Sequence, residues 1–447
     1  MNFKKFNKLV LALMATTALV ACSSDEAPAT NNTNNNTSNS SNSNNNSSSS
    51  TPVTEQEEAF TFPEITQPVE ITFWHAMNGG QESALTALTE KFMAQNDYIT
   101  VTLQNQSSYN DLNQKLSASL ISPDQLPTMS QAYLDWMYYP LEDNLIVDLL
   151  PYVEDPEIGI GDFADINYAF LEPLMINGSL YGMPFNKSSE VIWYNKTMFD
   201  ELGLTAPTTY EEFEQVAKAI TDAKGITAAG FDSLSSYFVT YLNNYGVVFD
   251  STVDVTSEVA KDAAQFYLDG INEGYFRIAG TDFYLSGPLG SELVGMYVGS
   301  NAGESFVLQG AGDKFEVGVA PYPAHTAIQQ GTDIFVFNSA SELQQRAAYE
   351  YLKFLTETDS QIEWAVATGY IPIRETAFAS DEYKNSGSMV AQIADQMVPK
   401  FYNKPSVNGA ASAFTESATA METILATTNP DIDRILSNLQ ATLGTIW

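Results

Sequence analysis

A single composition break decides how much of this 447-residue chain can fold. From residue 23 to about residue 58 the chain is almost entirely Asn, Ser and Thr, until Pro52 and the acidic Glu55, Glu57 and Glu58. A segment so poor in apolar side chains cannot offset its conformational entropy by burial and is expected to remain an open coil. At that length a flexible coil has a root-mean-square reach on the order of 35 Å, which suits a tether. A low-complexity adhesive tract is the alternative, and nothing periodic supports it. Whatever packs a core follows the break. Those roughly 390 residues exceed what one hydrophobic core usually serves, so two domains or lobes are expected.

Ahead of the break, Lys4, Lys5 and Lys8 precede the apolar run Leu9–Val20, whose end reads Leu19-Val20-Ala21-Cys22. That order predicts an export signal over residues 1–21 ending in a lipobox, with Cys22 as the lipidated residue and 22–65 as the tether. The apolar run is short for a membrane span, and no second run of about 18 apolar residues follows. The body is therefore expected outside the cytoplasmic membrane, held to it through Cys22. Because Cys22 is the single cysteine, no disulfide framework and no Cys-based metal cluster is expected. The 55 acidic residues against 19 basic ones give a net charge of −36. Such a field repels nucleic acid and anionic lipid headgroups and fits a saline habitat, but it names no ligand.

After the break, β-rich and helix-periodic runs alternate, which points to an α/β architecture. Val69–Trp74 and Ile99–Leu103 read as strands, and Glu82–Asn96 and Tyr109–Leu120 as helices. Asn144–Leu150 reads as a strand closing at Pro151. Thr208 and Glu211 stand in capping-box spacing, so a helix is expected to begin near Thr209. Helices are also expected over Glu258–Glu273 and Glu342–Thr356, and strands over Phe315–Val319 and Asp333–Phe337 flanking a loop from Pro321 to Gln330. Asn429-Pro430 opens a last helix with an apolar stripe of Ile432, Ile435, Leu436 and Leu439. No internal repeat is evident, so two lobes follow from length and crossovers rather than from duplication.

Three segments carry a family resemblance. They are ITFWHAMNGG (Ile71–Gly80), YGMPFNKSSEVIWYNKTMFDELGL (Tyr181–Leu204) and ATGYIPIRETAF (Ala367–Phe378). In order and spacing they resemble the extracellular solute-binding proteins of carbohydrate-type ABC importers, and among these the glycerol-3-phosphate-binding branch. The resemblance spans roughly residues 68–447 and implies a two-lobe, type II periplasmic-binding-protein-like α/β fold with hinge crossovers and a central cleft. Lobe one is placed at 66–182 plus 329–371, and lobe two at 183–328 plus 372–447. The function implied is a monomeric, lipid-anchored binding component that delivers a sugar, oligosaccharide or polyol to permease subunits, without cofactor or metal.

A sugar cleft needs aromatic faces for C–H surfaces and hydrogen-bonding side chains for hydroxyls. Trp74 and His75 end the first strand, where such a cleft begins, and are expected to line it, with core packing the alternative and a structural hydrogen-bonding role the plainer one for a lone histidine. By resemblance, Tyr109, Ser188, Ser300 and Tyr370 match ligand-contacting positions, Gly331 matches a backbone-amide contact, and Asp135 is the nearest match to an acidic contact. Lys187 is a ligand contact or a solvated rim charge, and Arg374 is expected near Tyr370 or paired with a hinge carboxylate. Trp136, Tyr138 and Tyr139 suit core as well as cleft. The phosphate-binding branch relies on an arginine in the segment corresponding to about 403–416, where this chain has only Lys404. Phosphate favours bidentate arginine, so a neutral sugar comes first and glycerol-3-phosphate or a glycerophosphodiester second. A surface glycosidase is the enzyme alternative. No G-x-S-x-G, H-E-x-x-H or P-loop motif is present to support a hydrolase or metal route.

Overall fold

The computed structural model describes residues 61–404 and 407–447. The expectations for the leader 1–21, for Cys22 and for most of the tether 22–65 lie outside the described residues. In chain order the strands are β1 (Val69–His75), β2 (Ile99–Asn105), β3 (Met129–Ala132), β4 (Met175–Ile176), β5 (Ser179–Leu180), β6 (Met183–Pro184), β7 (Ser188–Asn195), β8 (Ala229–Phe231), β9 (Phe276–Ile278), β10 (Met296–Ser300), β11 (Val317–Pro321), β12 (Ala327–Gln330), β13 (Asp333–Val336) and β14 (Phe401–Tyr402).

β1 buries Val69, Ile71 and Phe73 on one face and exposes Glu70, the alternation of a strand with one face in a core. It pairs in parallel with β2 and β3, and β13 then β6 continue antiparallel, giving the order β2-β1-β3-β13-β6. Helices Gly80–Gln95 and Glu342–Leu355 cover this sheet, with Tyr351 packed against Phe73 and Phe92 against Tyr351 and Phe354. The second sheet runs β14-β12-β7-β10-β8-β9, with β11 pairing the far half of β7. Almost every residue of β7 is buried, which its unbroken apolar stretch Val191–Trp193 requires of a strand covered on both faces. On one side Ile192 and Val298 join a core of Phe213, Phe231, Tyr237, Tyr267 and Phe276; on the other, Val191, Trp193 and Tyr297 belong to the core that includes the first sheet.

Several expected elements take the predicted places. The helix Glu258–Glu273 has its expected ends, and the helix Lys196–Leu202 stops at Gly203, in the left-handed region at φ 67°. Others shift. Thr209, not Thr208, caps the helix Tyr210–Lys224 by accepting from the Glu212 amide, while Thr208 donates to the Glu212 carboxylate. The final helix begins at Ile432 under an Asp431 cap, two residues past Pro430. β11 begins two residues later than Phe315, and the expected loop 321–330 contains β12, whose partners β7 and β14 lie far away in sequence. Asn144–Leu150 is not a strand: it makes one bridge, Ile146 to Phe337, and a helix starts at Leu150.

Candidate functional site

Two short connections pass from one sheet to the other. β6 ends in the first sheet at Pro184 and β7 begins in the second at Ser188, while β12 ends in the second at Gln330 and β13 begins in the first at Asp333. A third segment meets them where Ile371 donates its amide to the Lys187 carbonyl at 2.8 Å. Asn186, Lys187, Ser188, Thr332 and Asp333 are all buried. Buried backbone must find partners, and Asn301 supplies them, accepting from the Ser189 amide at 2.6 Å and donating to the Gly369 carbonyl. Gly331 sits at φ 92°, and a Cβ there would overlap the Asn186 carbonyl oxygen. The two connections can touch because this position is glycine.

Around this junction lies a cluster of hydroxyls. The Asn186 side-chain Nδ2 donates to the Tyr109 hydroxyl at 3.0 Å, and its Oδ1 accepts from the Gln131 side chain at 3.1 Å and the Thr332 hydroxyl at 2.8 Å. The Tyr109 and Tyr370 hydroxyls are 3.4 Å apart. The Tyr133 ring meets Tyr109 edge-on at 5.6 Å, and Tyr370 stacks on Trp364 at 5.5 Å with planes 7° apart. Burial raises all three phenols above their ordinary range, so they stay protonated donors.

Beside the phenols, four charges line a cavity of about 40 Å³ together with Tyr133 and Gly331. Lys187 contacts the Asp333 carboxylate, both almost fully buried, and burial raises Asp333 against the pull of that lysine. Lys404 reaches Asp135 at 2.8 Å, with its ammonium 4.6 Å from the Tyr133 ring centroid and 5.0 Å from that of Phe414. Asp135 is 2% exposed in its side chain, and its second oxygen, Oδ1, has no hydrogen-bond partner.

The structure thus brings Tyr109, Asp135, Gly331 and Tyr370 to one place, with Ser188 opening β7 directly after the connection. Ser300 ends β10, where its hydroxyl accepts from the Ala302 amide at 3.2 Å and caps a short turn. Trp74 takes its partners from β2 and the helix Tyr109–Ser119: its indole donates to Gln104 at 2.8 Å, and Lys115 lies 3.9 Å from its ring centroid. His75 is buried, accepts from the Met77 amide at 3.3 Å, and is held down to about 4 by burial, against the opposing Glu82. Arg374 pairs with Asp165 at 3.3 Å, the expected carboxylate contact. Tyr133 was not singled out by sequence reasoning; inside the aromatic run 131–139 it is one ring among several, whereas Tyr139 proves exposed. No group of three or more His, Cys, Asp or Glu suited to a metal occurs among the described residues.

Residues 87–391, well over half of the chain, match the family model described as bacterial extracellular solute-binding protein. The sn-glycerol-3-phosphate-binding periplasmic protein UgpB of Brucella abortus (strain 2308) is 25% identical over 347 residues, covering 71% of this chain and 77% of that protein. The crystal structure of UgpB from Mycobacterium tuberculosis in complex with glycerophosphocholine superposes with a TM-score of 0.76 at 21% identity, covering 85% of this chain and 98% of that one. The GacH receptor of Streptomyces glaucescens GLA.O, solved unliganded and with acarbose, gives 0.75 at 19% identity, covering 84% and 98%. These likenesses establish the two-lobe α/β binding-protein fold expected from the sequence. The chain belongs to the bacterial extracellular solute-binding protein family.

Proposed function

We propose that this chain is the binding component of an ABC importer, a carrier rather than a catalyst, that captures a sugar, oligosaccharide or polyol between two lobes and delivers it to permease subunits. The observation that carries the reading is the convergence of Tyr109, Tyr133, Asn186, Gly331 and Tyr370 where the chain passes between the sheets. Phenol rings offer faces to C–H surfaces while their hydroxyls and the amides serve ligand hydroxyls. Lobe one is proposed at 66–182 plus 329–371 and lobe two at 183–328 plus 372–447, with the edges best drawn at 185–187 and 331–332, where strands change sheets. The cavity of about 40 Å³ holds one or two waters, so capture requires the lobes to part and close again, a hinge motion that permease subunits can read. The contacts proposed are Trp74, His75, Tyr109, Asp135, Ser188, Ser300, Gly331 and Tyr370, to which we add Tyr133.

A ligand without phosphate is favoured because Lys404 and Lys187 are already compensated by Asp135 and Asp333. A phosphate needs uncompensated donors. The names of the relatives support a second reading, sn-glycerol-3-phosphate or a glycerophosphodiester. No helix among the described residues is long and apolar enough to cross a membrane, and the pattern Lys4 to Cys22 supports a lipid anchor at Cys22 outside the cytoplasmic membrane. Calorimetric titration of the purified protein against neutral sugars, polyols and glycerol phosphates tests the reading. Saturable binding of a ligand recovered unaltered supports it. Hydrolysis of the ligand, or a folded protein that binds none of them, overturns it; salt-sensitive binding of phosphorylated compounds alone selects the second reading.

A further inference from the structure

The second sheet carries two carboxyls that the contacts above leave out. Glu190 lies on β7 opposite Ser300 of β10, is 2% exposed, and its Oε2 has no hydrogen-bond partner. Its polar neighbour is the Gln330 side chain, whose Nε2 also donates to the Ser236 hydroxyl at 3.2 Å. Asp232 follows β8, the parallel neighbour of β10, and accepts from the Leu285 amide at 2.7 Å through Oδ1. Its other oxygen lies over Gly299, where a Cβ would overlap it, so glycine there opens the space the carboxyl uses.

Neither carboxyl is ion-paired among the described residues. Tyr210, Tyr322 and Tyr402 face Glu190, and Tyr267, Tyr284 and Tyr297 face Asp232, all of them neutral phenols. Burial first, then Asp232, pushes Glu190 up to about 8, and burial pushes Asp232 up to about 7. Strands β8, β9 and β10 run parallel, so the segments after them share one edge, the edge where open α/β sheets bind ligands. Gln330, the polar neighbour of Glu190, lies in the chain between Gln329 and Gly331, both of which line the cavity beside the phenols, so this acidic wall adjoins the cleft. A buried carboxyl with an idle oxygen beside a second carboxyl is unfavourable until a cationic donor arrives.

We propose that Glu190 and Asp232 form an acidic subsite in the second-sheet wall of the cleft that takes a protonated amine of the ligand, selecting amino-substituted sugars or polyols over neutral ones. The inference rests on reading the cleft as a sugar or polyol site. An ammonium group arriving there favours both carboxylates, so binding near pH 7 releases protons, which a neutral hydroxyl does not require.

The full chain is titrated calorimetrically with glucosamine, galactosamine and 1-amino-1-deoxysorbitol against glucose, galactose and sorbitol, in two buffers of different ionisation enthalpy at pH 7. At least one amine is expected to bind ten-fold or more tightly than its neutral counterpart, with proton release. In Glu190→Gln and in Asp232→Asn the amine-to-neutral affinity ratio is expected to collapse at least ten-fold, with thermal melting confirming the fold. Should Glu190→Gln not fold, the partly exposed Asp232→Asn carries the test. Neutral compounds binding with no preference for amines, or a preference that survives the substitutions, overturns the subsite and leaves the sugar reading standing. A folded protein that binds neither kind overturns both.

Discussion

Gly331 is where two sheet-to-sheet connections touch, and its backbone leaves no room for a side chain: φ is 92° and a Cβ would overlap the Asn186 carbonyl oxygen. Gly331→Ala therefore combines a disfavoured dihedral with a backbone clash, and the expected loss is about 3 kcal/mol of unfolding free energy. Urea unfolding measures it, and a change within experimental error would mean that the connections do not meet as described. His75 makes a pH prediction. Its folded form is held down to about 4 from an ordinary 6.5, by burial against the opposing Glu82. Below pH 6.5 the unfolded chain takes up a proton that the folded chain refuses. The stability it contributes is complete above 6.5 and is lost as pH falls through 6.5 toward 4. Linkage puts the loss between pH 7 and pH 5 at roughly 2 kcal/mol from this group. Unfolding free energies of wild type and His75→Gln at both pH values separate it from the other titrating groups, and equal pH dependence in the two proteins would rule it out.

At the scale of elements, the passage from one sheet to the other is secured by a buried ion pair between Lys187 in one connection and Asp333, which opens β13 directly after the other. Removing one partner strands the other in the interior, which costs about 3–5 kcal/mol, whereas replacing both with apolar groups of similar size restores most of it. Lys187→Met is expected to destabilise by that amount and Lys187→Met/Asp333→Leu much less, a sign of coupling that a double-mutant cycle reads directly. Additive losses would show that the pair is incidental. What was legible in sequence divides along the same line. Glu258–Glu273 was readable because Ser257 precedes it, Gly274 stops it, and its apolar stripe repeats over four turns. β12 was not, since four residues carry too little alternation and its pairing with β7 and β14 is non-local. Among residues of the candidate site, Tyr109 and Tyr370 were reachable through family resemblance. Tyr133 lay hidden in an aromatic run, and the link from Asn186 to Tyr109 joins positions that no local pattern connects. Glu190 did leave a signal, a lone acid in the strand run Ser188–Trp193, that a stricter reading of buried strands could have used.

At the scale of the whole molecule, Lys404 follows β14 of the second sheet and Asp135 follows β3 of the first, so their 2.8 Å ion pair spans the proposed cleft. The pair is unequal, since the lysine side chain is 22% exposed and the aspartate 2%. Asp135 already has one unpartnered oxygen, and losing the lysine leaves the whole carboxylate desolvated in the closed form, whereas opening hydrates it. Lys404→Met should therefore disfavour closure by about 2 kcal/mol, roughly a 30-fold shift toward the open form. Asp135→Asn leaves an ammonium that water can still reach and a neutral amide in the interior, so its shift is expected to be smaller. Spin labels at the exposed positions Asp97 and Asp222, introduced with Cys22→Ser, report the separation of the lobes without ligand. A longer distance population in Lys404→Met than in Asp135→Asn or wild type is the expected order. Identical distributions in all three would mean that the ion pair forms only after other contacts have closed the cleft, and that the phenol cluster rather than the charges sets the resting conformation.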